Sequence, residues 1–164
     1  MIVWDILSDG LFAAIAATGF GAVSDPPLRA LPSIAALAAV GHALRFCLMQ
    51  YFGADIATAS LFASVAIGMC SLFAGARIRC PMTVLFIPAL LPMVPGMYAY
   101  RTVFSIIMVL QSLGDHAAAE EYMQATLLNG FVTCSVVFML AAGAAVPIFL
   151  FRTKAHSMTR SKRK

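Results

Sequence analysis

The sequence predicts an all-α integral membrane protein. It is a bundle of five transmembrane helices, the fourth broken by proline and glycine near mid-membrane. Three observations lead there. Of 164 residues, 62% are apolar types and only 11% are charged, against about 45–50% and about 25% in an ordinary soluble domain. The apolar residues gather in five long runs. The charges sort to the ends of those runs. With a mean hydropathy of +0.91, a globule of this size lacks the polar side chains to cover its surface. The same balance excludes a disordered chain.

A span takes about 20 mostly apolar residues to cross about 30 Å of hydrocarbon. The runs cover 2–23, 31–51, 56–74, 82–110 and 125–151. Segments 24–29, 52–55, 75–81 and 111–124 divide them, and their Pro, Gly and charged residues are what turns require. None of the runs alternates apolar with polar residues over ten positions, which argues against a membrane-spanning barrel. The first five residues, Met1-Ile-Val-Trp-Asp5, lack the basic region of a cleaved signal. The first run is therefore expected to stay in the mature chain.

Five crossings put Arg29, Arg77, Arg79 and the six tail residues Arg152, Lys154, Arg160, Lys162, Arg163 and Lys164 on one side. That is nine of the 11 basic residues. The positive-inside rule makes that side cytoplasmic. Asp5, Asp9, Asp55, Asp115, Glu120 and Glu121 fall opposite. The expected orientation is N-terminus outside and C-terminus cytoplasmic. Residues 1–151 form one transmembrane domain, and 152–164 form a disordered basic tail. The net charge of the chain is +4, and six of its 11 basic residues lie in that tail, which suits anionic lipid and not nucleic acid.

Cys47, Cys70, Cys80 and Cys134 form no C-x-x-C pair and have no histidine at metal-ligand spacing. They are expected to be reduced and structural. Small residues recur every fourth position at Gly10, Ala14 and Thr18, at Ala35, Ala39 and Ala43, and at Ser60, Ser64 and Gly68. These rows let helices approach closely in lipid, where apolar burial alone brings nothing together.

The fourth run holds Pro88, Pro92, Pro95 and Gly96. Each proline removes an amide donor and clashes with the preceding turn. Backbone broken at membrane depth persists only where protein or a water-filled cavity satisfies it. A second half-helix starting near Met97 would aim its free N–H groups at an anionic solute, as in discontinuous transporter helices. Pro92, Pro95, Gly96, Met97, Tyr98, Tyr100 and Arg101 are therefore candidate substrate contacts. The competing reading is a structural kink. Arg101 either clamps a carboxylate or snorkels to the outer surface.

His42 and Arg45 lie three residues apart on one face of the second run. Ionisable groups inside a span are a functional-site hypothesis by default, and a histidine there suits a proton relay or gate. Asn129 and Thr133, with Thr126, form a polar stripe on the last run. The stripe either lines a cavity or bonds between helices, and helix bonding is favoured. Asp5 and Asp9 share a face and are expected to be a solvated outer flank. No nucleophile–base pair, phosphate loop or metal motif is present in the sequence, so neither an enzyme nor a cofactor is expected.

Three stretches together resemble the threonine/serine exporter family. They are Gly41-His42-x-x-Arg45, Ile87-Pro88-x-x-x-Pro92-x-x-Pro95-Gly96-x-x-Ala99-Tyr100, and the segment from Thr126 to Thr133. The chain is similar to the small YjjB-type subunit of the split form. The resemblance implies a bacterial inner-membrane transporter exporting threonine, serine or related small carboxylates. It also implies a larger YjjP-type membrane subunit that completes it. By size alone, five spans need another chain or a second copy to build an alternating path. The alternative is a non-transporting scaffold subunit that stabilises a larger membrane partner.

Overall fold

A computed structural model describes residues 2–151, and the predicted basic tail lies outside the described residues. Six helices follow one another: α1 Ile2–Val23, α2 Leu31–Phe52, α3 Ile56–Ile78, α4 Met82–Leu90, α5 Gly96–Gln111 and α6 His116–Leu150. No strand occurs among the described residues. α1, α2, α3 and α6 are long and apolar enough to cross a membrane. The number becomes five if α4 and α5 are counted as one span.

Local chemistry explains the boundaries. Pro26 and Pro27 follow α1, and Pro32 sits in the first turn of α2, where no amide is needed. α2 ends at Gly53, whose φ of 62° is the left-handed cap a glycine adopts without strain. Asp55 caps α3 by accepting from the Ala57 and Thr58 amides, each at 3.0 Å. α3 runs to Ile78, four residues beyond the apolar run, until Arg79 turns left-handed. Arg29 donates to the Arg79 carbonyl at 3.5 Å, so the first and third turns lie at one end.

Two expectations are corrected. The segment 111–124 is not a long loop, because α6 starts at His116 and carries Glu120 and Glu121. Asp115 accepts from the Ala117 and Ala118 amides at 3.1 and 3.3 Å. The alanines and glutamates that follow are strong helix formers. The three prolines also behave differently from one another. Pro88 lies inside α4, Pro92 in a single 3-10 turn over Leu91–Met93, and Pro95 caps α5. Continuous helix is lost only at 94–95.

The chain forms two compact units. Residues 94–138 make one, and the described segments 2–93 and 139–151 make the other. The larger unit combines a core rich in small residues with many large apolar residues turned outward. Ala17, Ala38, Ala59, Ala63 and Ala89 are fully buried, whereas Phe12, Phe73 and Phe149 are 70%, 67% and 78% exposed. Small residues inside and large apolar ones outside are what lipid demands. The small-residue rows make the close approaches. Gly10 faces the Ala39 backbone, Gly68 faces the Pro147 ring, and Gly143 faces Ser64 and the Leu61 carbonyl. In the smaller unit, Thr102 of α5 lies against Gly130 of α6, and the Tyr100 and Phe104 rings stack at 6.2 Å.

The four cysteines are free. Burial pushes the Cys80 thiol up from its ordinary range, with nearby Arg29 opposing.

A methyl group on Gly143 would meet the Leu61 carbonyl at 2.7 Å, whereas one on Gly19 meets nothing within 4 Å. Gly143→Ala is expected to destabilise the protein by about 1–3 kcal/mol through overpacking. Gly19→Ala is expected to be neutral or mildly stabilising. Thermal melting in detergent compares them, and equal melting would refute this packing. A second prediction concerns Asp55. The Thr58 hydroxyl, then the Thr58 and Ala57 amides, hold its carboxyl below the usual carboxylate range. Its capping contribution is therefore fully present above the ordinary aspartate value. It is lost as pH falls below that value through the lowered folded one. Hydrogen exchange at Ala57 and Thr58 should accelerate over that acid window and lose this dependence in Asp55→Asn.

Candidate functional site

Three ionisable side chains of the larger unit gather where α1, α2 and the end of α4 meet. Asp9 lies on the third turn of α1, inside a helix long enough to span. His42 lies in the middle of α2 and Arg45 one turn on. His42 Nδ1 and Asp9 Oδ2 are 3.1 Å apart. The His42 side chain is 9% exposed and that of Asp9 42%, so the histidine is enclosed and its partner opens outward. Gly41, the preceding residue, lets α3 and the end of α4 come close to α2. A side chain there would collide with Ile67 and the Met93 methyl.

Arg45 points at the end of α4. Its Nη1 donates to the Met93 carbonyl at 2.9 Å. The sequence explains why that carbonyl is free. The Gly96 amide bonds the Val94 carbonyl at 2.8 Å, and the first amide bonding back across the break is that of Ala99, to Pro95. Proline at 95 has no amide to offer. The carbonyls of Pro92 and Met93 are thus both left without a backbone donor. Arg45 serves the second. The Pro92 carbonyl faces the His42 ring without completing a hydrogen bond, and His42 Nε2 is buried with no partner.

The structure brings His42 and Arg45 together with Pro92. It adds Asp9, which the sequence reading assigned to a solvated flank. That expectation is corrected. A carboxylate two turns inside an apolar helix is itself the signal for a paired group. Arg45 is tied to the α4 terminus.

The remaining candidates lie elsewhere. Pro95 is buried, Gly96, Met97, Tyr100 and Arg101 are exposed, and Tyr98 is half-buried. Asn129 and Thr133 are half-buried, and with Thr126 they bond the carbonyls of Ala125, Asn129 and Tyr122 in their own helix. The favoured expectation of bonds between helices is therefore corrected. Back-bonding to the preceding turn satisfies these side chains locally. An apolar groove of about 240 Å³ lies between α2 and α3, lined by Ala36, Val40, Gly41, Ala66 and Cys70 among others. It holds no charge. No cluster of three metal-binding side chains occurs among the described residues.

An all-helical, multi-pass membrane protein with a paired carboxylate and imidazole inside its spans belongs with transporters more readily than with enzymes. The comparison with known proteins agrees. The chain belongs to the threonine/serine exporter family, a family of transporters, whose model "Threonine/Serine exporter, ThrE" matches residues 9–150. It is similar to a Haemophilus influenzae protein described as uncharacterized, at 32% identity over 146 residues. That match covers 89% of this chain and 48% of the relative, so the chain spans about half the relative's length. No solved structure matches.

Arg45→Leu removes the donor to Met93 and leaves its carbonyl unpaired, an expected loss of about 1–3 kcal/mol. Arg45→Lys keeps a cationic donor and should lose less. Melting in detergent tests the ranking, and equal losses would refute the hydrogen bond as the cause.

Proposed function

We propose that the chain is the small membrane subunit of a secondary transporter in the bacterial inner membrane. It exports threonine, serine or related small carboxylates. A larger YjjP-type membrane subunit completes it, and His42 carries the coupling proton. The observation that carries this reading is the 3.1 Å pair between Asp9 and His42 inside two spans. A titratable imidazole beside a carboxylate is the least costly proton carrier at membrane depth.

In this reading α4 and α5 form one discontinuous span, and the chain crosses five times with its N-terminus outside. The positive-inside rule supports the orientation. Substrate is met along Pro92, Pro95, Gly96, Met97, Tyr98, Tyr100 and Arg101, with Asn129 and Thr133 on the last span. The amides freed at the start of α5 and the guanidinium of Arg101 are donors suited to a small carboxylate.

The test is flux of serine, threonine and dicarboxylates in vesicles holding both subunits under an imposed pH gradient. His42→Ala should abolish gradient-driven export while the protein still inserts. Replacing Pro92, Pro95 and Gly96 together by Ala should abolish export with or without a gradient. Unchanged export in the first variant removes the coupling role, and normal flux in the second removes the break as the site. Full flux by the larger subunit alone would favour the scaffold alternative.

A further inference from the structure

The His42 ring is flanked by acceptors. Asp9 Oδ2 stands at Nδ1, and the Pro92 carbonyl faces the ring. The other charged groups on these elements are Asp5, exposed one turn before Asp9, and Arg45, whose Nη1 donates to the Met93 carbonyl. α3 carries no acid or base between Ile56 and Ala76 other than the Cys70 thiol, and α4 carries none. No donor from these groups therefore faces the imidazole. A neutral imidazole has one N–H and one bare lone pair, whereas an imidazolium has two donors. Only the protonated ring can serve both acceptors. The neutral ring leaves one nitrogen unpaired, and Nε2 is buried with no partner.

We propose that Asp9 is the positioning residue of His42, and that the protonated ring bridges α1 to the end of α4. In that state Nδ1–H donates to Asp9 and Nε2–H donates to the Pro92 carbonyl. This rests on the reading of His42 as the coupling group. The proton adds at Nε2, the nitrogen whose lone pair is bare in the neutral ring. It leaves the ring as imidazolium opposite a carboxylate, and no other bond is made or broken. When it departs, Nδ1 keeps its hydrogen, because the carboxylate is the stronger acceptor. The Nε2 lone pair then faces a carbonyl oxygen, and the hold on the α4 end is lost. Arg45 is the permanent anchor of that terminus, and His42 is the releasable one.

Nitrogen-15 NMR of histidine-labelled protein tests this in lipid nanodiscs, with His116 and His156 replaced by Gln to leave one signal. Across its titration, wild-type His42 is expected to pass from two ring N–H groups to Nδ1–H alone. Asp9→Asn keeps an acceptor oxygen and should retain that tautomer. Asp9→Leu should revert to Nε2–H, the form free imidazole prefers. Amide exchange at Met93 and Val94 should slow about three- to tenfold on protonation, the effect of one net hydrogen bond, and should not respond in His42→Gln. A bare Nδ1 in the neutral wild type would overturn the role of Asp9, and exchange indifferent to protonation would overturn the bridge. Wild type and Asp9→Asn decide the matter even if Asp9→Leu does not fold. None of these readouts needs transport. A chain that passes them and still exports as His42→Ala has lost only the coupling proposal.

Discussion

Peptide groups inside a membrane protein cannot turn to water, so a helix that stops there must find its hydrogen bonds within the protein. Everything at the α4 terminus follows from this constraint. Pro95 removes the amide that would have continued the ladder, and the Gly96 amide turns back to Val94. Two carbonyls are stranded. A guanidinium from α2 serves one at 2.9 Å, and an imidazole one helical turn earlier faces the other. The polar cluster is thus the completion of a broken backbone as much as a set of charges.

Reaching those carbonyls demands close helix packing, which sets the composition of the interior. A fully buried row of alanines and serines brings the helix axes together, and Phe12, Phe73 and Phe149 face outward. Gly41 is the case nearest the polar cluster. It adjoins His42 on α2, and any side chain there would strike Ile67 and Met93. The glycine lets the α4 terminus approach, and the next residue then engages it. Packing and polar chemistry are adjacent positions of one motif.

Much of this was legible in the sequence, because it depends on properties a residue carries with it. Proline lacks an amide wherever it sits, so the interruption near Pro92 and Pro95 could be placed to within a residue or two. The spacing of His42 and Arg45 fixed their shared face. Pairings between helices were not legible, because a sequence records position along a helix and not its rotation against a neighbour. Asp9 looked like a flank because Asp5 stands one turn away. Only the rotation of α1 against α2 separates a solvated carboxylate from one 3.1 Å from an imidazole. The start of α6 was missed for a different reason. Charge at Glu120 and Glu121 suggested a loop, whereas helix propensity and the Asp115 cap outweigh charge where the helix leaves the apolar region.

The two α2 side chains differ in the property that separates a structural contact from a working one. A guanidinium keeps its proton under all physiological conditions, so the bond from Arg45 to Met93 is permanent. An imidazole changes charge near neutrality, so whatever His42 holds can be released. Placing both on one helix face, each toward a stranded carbonyl, gives the α4 terminus one fixed and one conditional attachment. A purely structural cap would be served better by two fixed donors, because a titratable group adds a state in which the carbonyl goes unpaired. The carboxylate of Asp9 sharpens the point. It supplies a counter-charge for the protonated ring, and a histidine meant to stay neutral in an apolar interior has no use for one.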